Sequence, residues 1–282
     1  MWWASSGSFR SMPYLPSART RWEYSPMTRP DPQRTTERLR VDNLTVAFGP
    51  RIIQRELSFS VRKGSIFAIM GGSGCGKSTV LRAMIGLLRP SSGSIAVDGE
   101  DYWTVSEERR AEMSRRFGVL FQSGALWSSM TVAENVALPL QMFTTLASDS
   151  IAVLVQLKLS FVGLSDAAAK MPAELSGGMR KRAALARALA LDPDILFFDE
   201  PSAGLDPITS NRLDELILEL SRGLGATVVI VSHELPSLFG ICDDGVFLDG
   251  ESRTAVAHGS PRILRDSCVH PSVRAFMKRG QL

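Results

Sequence analysis

Strand-sized apolar runs alternate with stretches of helical spacing along most of this chain, and the alternation sets the fold class. Residues 65–70, 117–121, 194–198 and 228–232 are dominated by uninterrupted apolar side chains. Such runs mark strands buried on both faces of a sheet. Residues 79–85 are helix-compatible, and residues 151–164 and 209–223 repeat apolar positions at helical spacing. Thr131 and Glu134 form a capping-box pair ahead of another such run, so residues from about 123 to 175 read as a helical subdomain. Pro172 is expected to end the helix before it. Residues 39–48 and 52–61 read as strands of an antiparallel lobe, with a further strand between Gly93 and Gly99. Residues 247–250 and 253–258 suggest a closing hairpin. Strands and helices in this order predict an α/β domain with an antiparallel β lobe and an inserted helical subdomain.

The chemistry gathers at the ends of these runs. Gly71, Gly72, Ser73, Gly74, Cys75, Gly76, Lys77 and Ser78 satisfy G-x-x-x-x-G-K-[ST] between a predicted strand and a predicted helix, with Thr79 the next residue of the same nucleotide-binding loop. Glycines let the backbone curl until several N–H groups face one phosphate, and the helix start adds partial positive charge. Lys77 is expected to reach the β- and γ-phosphates of a nucleotide triphosphate, and Ser78 to offer its hydroxyl to Mg2+. The run 194–198 ends in Asp199 and Glu200: Asp199 suits metal contact, and Glu200 is the candidate that orients and deprotonates the attacking water. His233 follows the run 228–232 and is a candidate γ-phosphate contact, because strand carboxyl ends are where such sheets bind ligands. Gln122 ends the run 117–121, where its amide is a candidate contact to the metal or the water. His258 and His270 have no such context.

The glycine loop, Gln122, Leu175-Ser176-Gly177-Gly178, Phe198-Asp199-Glu200, Ala203-Gly204-Leu205-Asp206 and His233 occur in an order that resembles the ATPase subunits of ABC transporters, over about residues 38–260. The resemblance implies a P-loop NTPase core and hydrolysis of Mg-ATP. It implies that Phe48, where many relatives carry Tyr, stacks on adenine; the alternative is a core aromatic. It also implies that Ser176, Gly177 and Gly178 serve the ATP held by a second copy of the chain, so that two copies pair in an ATP-dependent dimer with Asp206 at the seam. An N-cap role for Ser176 is compatible with that. Phe121-Gln122-Ser123-Gly124-Ala125-Leu126-Trp127, Met179 after the two glycines, and Val256-Ala257-His258-Gly259-Ser260 look more narrowly like Mla-type phospholipid transport ATPases, which also serve Mce-type lipid uptake. That likeness implies an integral membrane permease, a small regulatory partner, a periplasmic lipid-binding protein, and a peripheral position on the cytoplasmic face of the inner membrane. Leu126, Trp127 and Met142 are candidates for the permease contact. Soluble ABC ATPases of DNA repair or translation commonly carry two ATPase units or a long coiled-coil insertion, and neither is visible here.

Composition narrows the rest. The 282 residues are 44% hydrophobic, ample for one large domain, and the net charge of +3 is too small to point to a nucleic-acid partner. No apolar run approaches the roughly 18 residues of a membrane span. Cys75, Cys242 and Cys268 make no metal spacing. Residues 1–37 are rich in Arg, Ser and Pro without a period and are expected to be a disordered extension; a transit peptide, or a true start at Met12 or Met27, are the alternatives. Residues 38–282 are expected to form the ATPase domain.

Overall fold

The computed structural model describes residues 37–278. Apart from Glu37, the stretch expected to be a disordered extension lies outside the described residues, as do residues 279–282. In chain order the elements are β1 (Glu37–Phe48), β2 (Arg51–Arg62), β3 (Ile66–Gly71), α1 (Lys77–Met84), β4 (Ser92–Val97), β5 (Glu100–Asp101), α2 (Glu107–Arg115), β6 (Phe117–Leu120), α3 (Val132–Phe143), α4 (Ser148–Phe161), α5 (Gly177–Ala188), β7 (Ile195–Asp199), α6 (Pro207–Leu224), β8 (Thr227–Val231), α7 (Leu235–Ile241), β9 (Asp244–Leu248), β10 (Ala255–His258), α8 (Pro261–Ser267) and α9 (Pro271–Lys278).

Two sheets organise them. The larger has the order β10-β9-β3-β8-β7-β6 and the smaller β2-β1-β4-β5. Strands β9, β3, β8, β7 and β6 run parallel, and β10 closes one edge antiparallel to β9. Successive residues of a strand point to opposite faces. Ile66, Ala68 and Met70 of β3 therefore join a core shared with α3, α4, α5 and α6. Phe67 and Ile69 join a second core with β1, β2, β4 and α1. Both faces are covered, which is why the strand sequences are apolar throughout. This order brings the carboxyl ends of β3, β8 and β7 side by side, where β3 delivers the glycine loop, β8 delivers Ser232 and His233, and β7 delivers Asp199 and Glu200.

Local chemistry sets the helix ends. Thr131 caps α3 reciprocally: its Oγ1 accepts from the Glu134 N–H at 3.2 Å, while Glu134 Oε2 accepts from the Thr131 N–H at 2.7 Å. Pro172 does not end a helix. Helix α4 stops at Phe161, with Gly163 at φ 65° and the Leu164 N–H donating to Leu159 O at 2.8 Å. Pro172 instead opens a one-turn segment, Pro172–Glu174, where its missing N–H is not needed. The sequence reading also passed over α2, α7, α8 and α9, which are short. Helix α9 buries Val273, Phe276 and Met277, and Phe276 meets Phe247 edge-on at 5.2 Å. A charge cluster joins the two sheets: Asp98, in the turn after β4, accepts from Arg38 at 2.7 Å and Arg116 at 2.6 Å, and Arg116 also donates to Asp194 at 2.7 Å. Among the described residues no helix is long and apolar enough to cross a membrane.

Candidate functional site

The glycine loop needs its glycines for space as well as for conformation. Gly71 has φ +150°, and a Cβ there would lie 2.4 Å from Leu248 O and 2.6 Å from Cys75 Sγ. Gly76, at φ +100°, is the residue from which α1 starts, and a Cβ would fall 2.5 Å from Ile53 Cγ2. Any side chain would force both the left-handed backbone and its neighbours to give. Lys77 is buried, and its Nζ donates to Gly71 O and Gly72 O, each at 3.0 Å. The ammonium is thus folded back across the loop that its own helix follows. Cys75 is buried, and burial pushes its thiol above the ordinary range despite the nearby Lys77, so it is a poor nucleophile.

At the neighbouring strand ends, Ser78 Oγ donates to Asp199 Oδ1 at 2.8 Å. Burial raises the Asp199 pKa; the Ser78 hydrogen bond opposes the shift, and the charge of Glu200 adds to it. Two hard oxygen donors, a hydroxyl and a carboxylate that burial leaves poorly solvated as an anion, fit Mg2+, which takes few protein ligands and completes its shell with phosphate oxygens and water. Among the described residues no group of three or more His, Cys, Asp or Glu is placed to hold a metal ion. Glu200 is buried and has φ 51°, left-handed for a residue that is not glycine. Its N–H donates to Val231 O at 2.8 Å, and its Oε1 lies 2.8 Å from His233 Nδ1. His233 keeps about half of its side chain exposed and lines a cleft of about 300 Å³ with Gly72, Ser73, Glu234, Leu235, Pro236 and Phe276.

The structure therefore brings Lys77, Ser78, Asp199, Glu200 and His233 together. Gln122, two residues past the end of β6, is exposed and makes none of these bonds. Phe48 ends β1 with 51% of its surface exposed, so it is not a core aromatic and its ring face is free. Ser176 is the N-cap of α5, accepting from the Met179 N–H at 3.2 Å. A Cβ on Gly178 would meet Thr209 Cγ2 at 2.7 Å, so the helix start seats against the first turn of α6. Asp206 caps that turn, accepting from the N–H groups of Ile208 and Thr209. Trp127 and Met142 are exposed, whereas Leu126 is partly buried against the core.

Two site residues escaped the sequence reading. Gln54 is fully buried, and its Nε2 donates to Cys75 O at 2.7 Å and Asp249 O at 3.0 Å, tying the glycine loop to the end of β9. Strand alternation does not reveal it: Glu56, at φ 53°, interrupts the β1–β2 register, shifting the buried phase from Leu57 to Gln54. Lys181 is buried and donates to three carbonyl oxygens of the segment that begins at Glu200. The run Arg180-Lys181-Arg182 looks in sequence like a solvated basic face.

A phosphate loop, a buried carboxylate–hydroxyl pair and a glutamate–histidine pair, all at adjacent parallel strand ends, define a nucleotide hydrolase of the P-loop class. The chain belongs to the ABC transporter family, whose model matches residues 54–203. It is 46% identical over 239 residues to the intermembrane phospholipid transport system ATP-binding protein MlaF of Escherichia coli strain K12, covering 84% of this chain and 88% of that protein. It is also 42% identical to the probable ribonucleotide transport ATP-binding protein mkl of Mycobacterium tuberculosis H37Rv, over 85% of this chain and 66% of that one. The dimeric post-hydrolysis state of the ATP-binding cassette MJ0796 bound to ADP and Pi matches with a TM-score of 0.72 at 27% identity, covering 78% of this chain and 97% of that one. The α/β fold expected from the sequence, with its β lobe and helical subdomain, is that of such cassettes.

Proposed function

We propose that this chain is the ATP-hydrolysing subunit of an ABC transporter and drives a separate membrane permease that moves phospholipid. The observation that carries the reading is the convergence of Lys77, the Ser78–Asp199 pair and the Glu200–His233 pair on three adjoining strand ends. Loop amides from Gly71 to Thr79, with Lys77, hold the β- and γ-phosphates. Phe48 offers its free face to adenine. Ser78 and Asp199, with Gln122 from the neighbouring loop, would hold Mg2+, which when bound neutralises phosphate charge. Glu200 orients water and takes its proton. His233, held by Glu200, contacts the γ-phosphate. Phosphoryl transfer of this kind is mostly positioning and charge stabilisation.

Ser176 caps and Gly177 and Gly178 open the 12-residue α5, and their amides would grip a γ-phosphate held by a second copy. Two copies paired head to tail complete two sites, with Asp206 at the seam, and loss of the γ-phosphate loosens them. The exposed Trp127 and Met142 face the permease. The likeness to MlaF supports phospholipid as cargo, together with a regulatory subunit, a periplasmic lipid-binding protein and a position on the cytoplasmic face of the inner membrane. The likeness to mkl favours a second reading, the same machine with another cargo.

Affinity purification from detergent-solubilised native membranes tests this. An integral membrane partner carrying phospholipid, identified by mass spectrometry, supports the first reading, and the same partner with a different solute supports the second. The absence of any membrane partner would overturn both. In the recovered complex, Glu200→Gln should still bind ATP and hold the dimer while turnover falls at least about a hundredfold; turnover near wild type removes Glu200 from the mechanism.

A further inference from the structure

We infer that Lys181 is a positioning residue for hydrolysis, clamping the loop that presents Glu200 to the helix that begins at Ser176. This rests on the assignment of Glu200 as base. Lys181 Nζ donates to Glu200 O at 3.2 Å, Pro201 O at 2.7 Å and Ala203 O at 2.6 Å. An ammonium has three donors and no acceptor, so three converging carbonyls use all of its capacity. Only 7% of the residue is exposed, and a buried ammonium is retained only when its protons are so matched. The clamped loop is strained at Glu200, which sits at φ 51°, left-handed for a residue that is not glycine.

Every polar handle of Glu200 is thereby fixed. Its N–H is held by Val231, its carbonyl by Lys181 and the Ala203 N–H of the loop itself, and its carboxylate by His233. Two of these holds come from β8 and the residues that follow it, whereas Lys181 alone reaches the loop from α5. Lys181 lies five positions beyond Ser176 on a helix whose start is seated against Thr209. A shift of that helix is therefore transmitted to the carbonyl of the base. The clamp makes Glu200 competent only when the Ser176 end of the helix is in place, linking the two halves of the site through one side chain.

The test measures ATP turnover and binding in the full membrane complex for Lys181→Met, Lys181→Arg and Lys181→Gln. Lys181→Met keeps the length and removes all donors. Its kcat should fall about a hundredfold, the scale of a misplaced catalytic group, with the Kd for ATP within about threefold of wild type. Lys181→Arg should recover most of the rate. Lys181→Met in the Glu200→Gln background should cost nothing further, since both changes act through one group. Wild-type kcat in Lys181→Met, additive losses in the double variant, or no recovery with Lys181→Arg would each overturn the inference. If Lys181→Met loses its cooperative thermal transition, Lys181→Gln takes its place, with about a tenfold loss of kcat expected and wild-type kcat overturning. The Glu200→Gln arm separates the two assignments. If Glu200→Gln turns over normally, the base assignment and the clamp built on it both fall; if Glu200→Gln is dead and Lys181→Met active, only the clamp falls.

Discussion

Replacing Gln54 with Leu tests whether a single buried amide holds the glycine loop in register. Two carbonyls, on Cys75 and Asp249, lose their donor in a site with no solvent. Leaving two buried acceptors unmade costs about 2–6 kcal/mol in all. The substitution also removes Gln54 Oε1, a buried atom without a partner, which returns about 1–3 kcal/mol. The net expectation is a loss of about 2 kcal/mol, or about 4–8 °C in Tm for a domain of this size. Cys75 belongs to the phosphate loop, so part of the cost should reappear as nucleotide affinity, about tenfold weaker. Differential scanning calorimetry gives the first quantity and titration calorimetry with MgATP the second. Gln54→Glu should be worse on both, because it puts a buried charge with no donor against two acceptors. A Tm within about 1 °C of wild type in the Leu variant, or a Glu variant milder than the Leu variant, would refute the reasoning.

Two other expectations follow from the same geometry. Lys77→Ala removes the ammonium folded across the loop and should weaken ATP binding about 10- to 100-fold, the worth of a charge-assisted hydrogen bond; unchanged affinity in titration calorimetry would contradict the role. Asp98 should contribute an acid-sensitive part of the stability. Burial pushes its pKa up, but hydrogen bonds and charge attraction from Arg116 and Arg38 outweigh that and leave it below its ordinary value. A carboxylate depressed in the folded state stabilises above its unfolded pKa, and that stability is lost as pH falls through the folded one. Asp98→Asn should therefore be less stable than wild type near neutral pH, with the gap closing as pH falls below the ordinary aspartate range; a gap constant with pH in chemical denaturation would count against the network.

Much of the nucleotide site is legible in the sequence because its parts are set by local rules. Gly71 and Gly76 stand where any Cβ would collide or the backbone runs left-handed. Asp199, Glu200 and His233 stand at the carboxyl ends of apolar runs, and parallel strands in adjacent register bring such ends together without further information. The capping box at Thr131 needs only two residues three apart. Pro172 misled because proline disfavours a helix interior but is well suited to a first turn, and the sequence does not say on which side the helix lies. Gln54 was hidden by the shift of strand phase at Glu56, a feature of backbone pairing that no count of alternating residues contains.

The cations of α5 are the deeper case. In sequence, Arg180, Lys181, Arg182 and Arg187 are four cations on one helix with nothing to name their partners. In the fold each donates to backbone oxygen, Lys181 from a buried position and Arg180 from an exposed one. Arg180 donates to Leu175, Lys181 to Glu200, Pro201 and Ala203, Arg182 to Val162 and Gly163, and Arg187 to Gly124 and Ala125. None of them forms an ion pair with a carboxylate among the described residues. Carbonyl acceptors leave no trace in a sequence, since every residue carries one; a carboxylate partner would have shown as an opposite charge at a suitable spacing. One helix thus gathers the segment ahead of Ser176, the end of α4, the turn two residues past Gln122 and the loop of Glu200. Backbone oxygens hold position whatever side chains those loops carry, so the arrangement lets loop residues vary while the helix keeps its hold on each. A rigid element fastened to the loops of Gln122 and Glu200 cannot move at one without loading the other, and hydrogen-bonded rigid elements of this kind can carry coupling between sites.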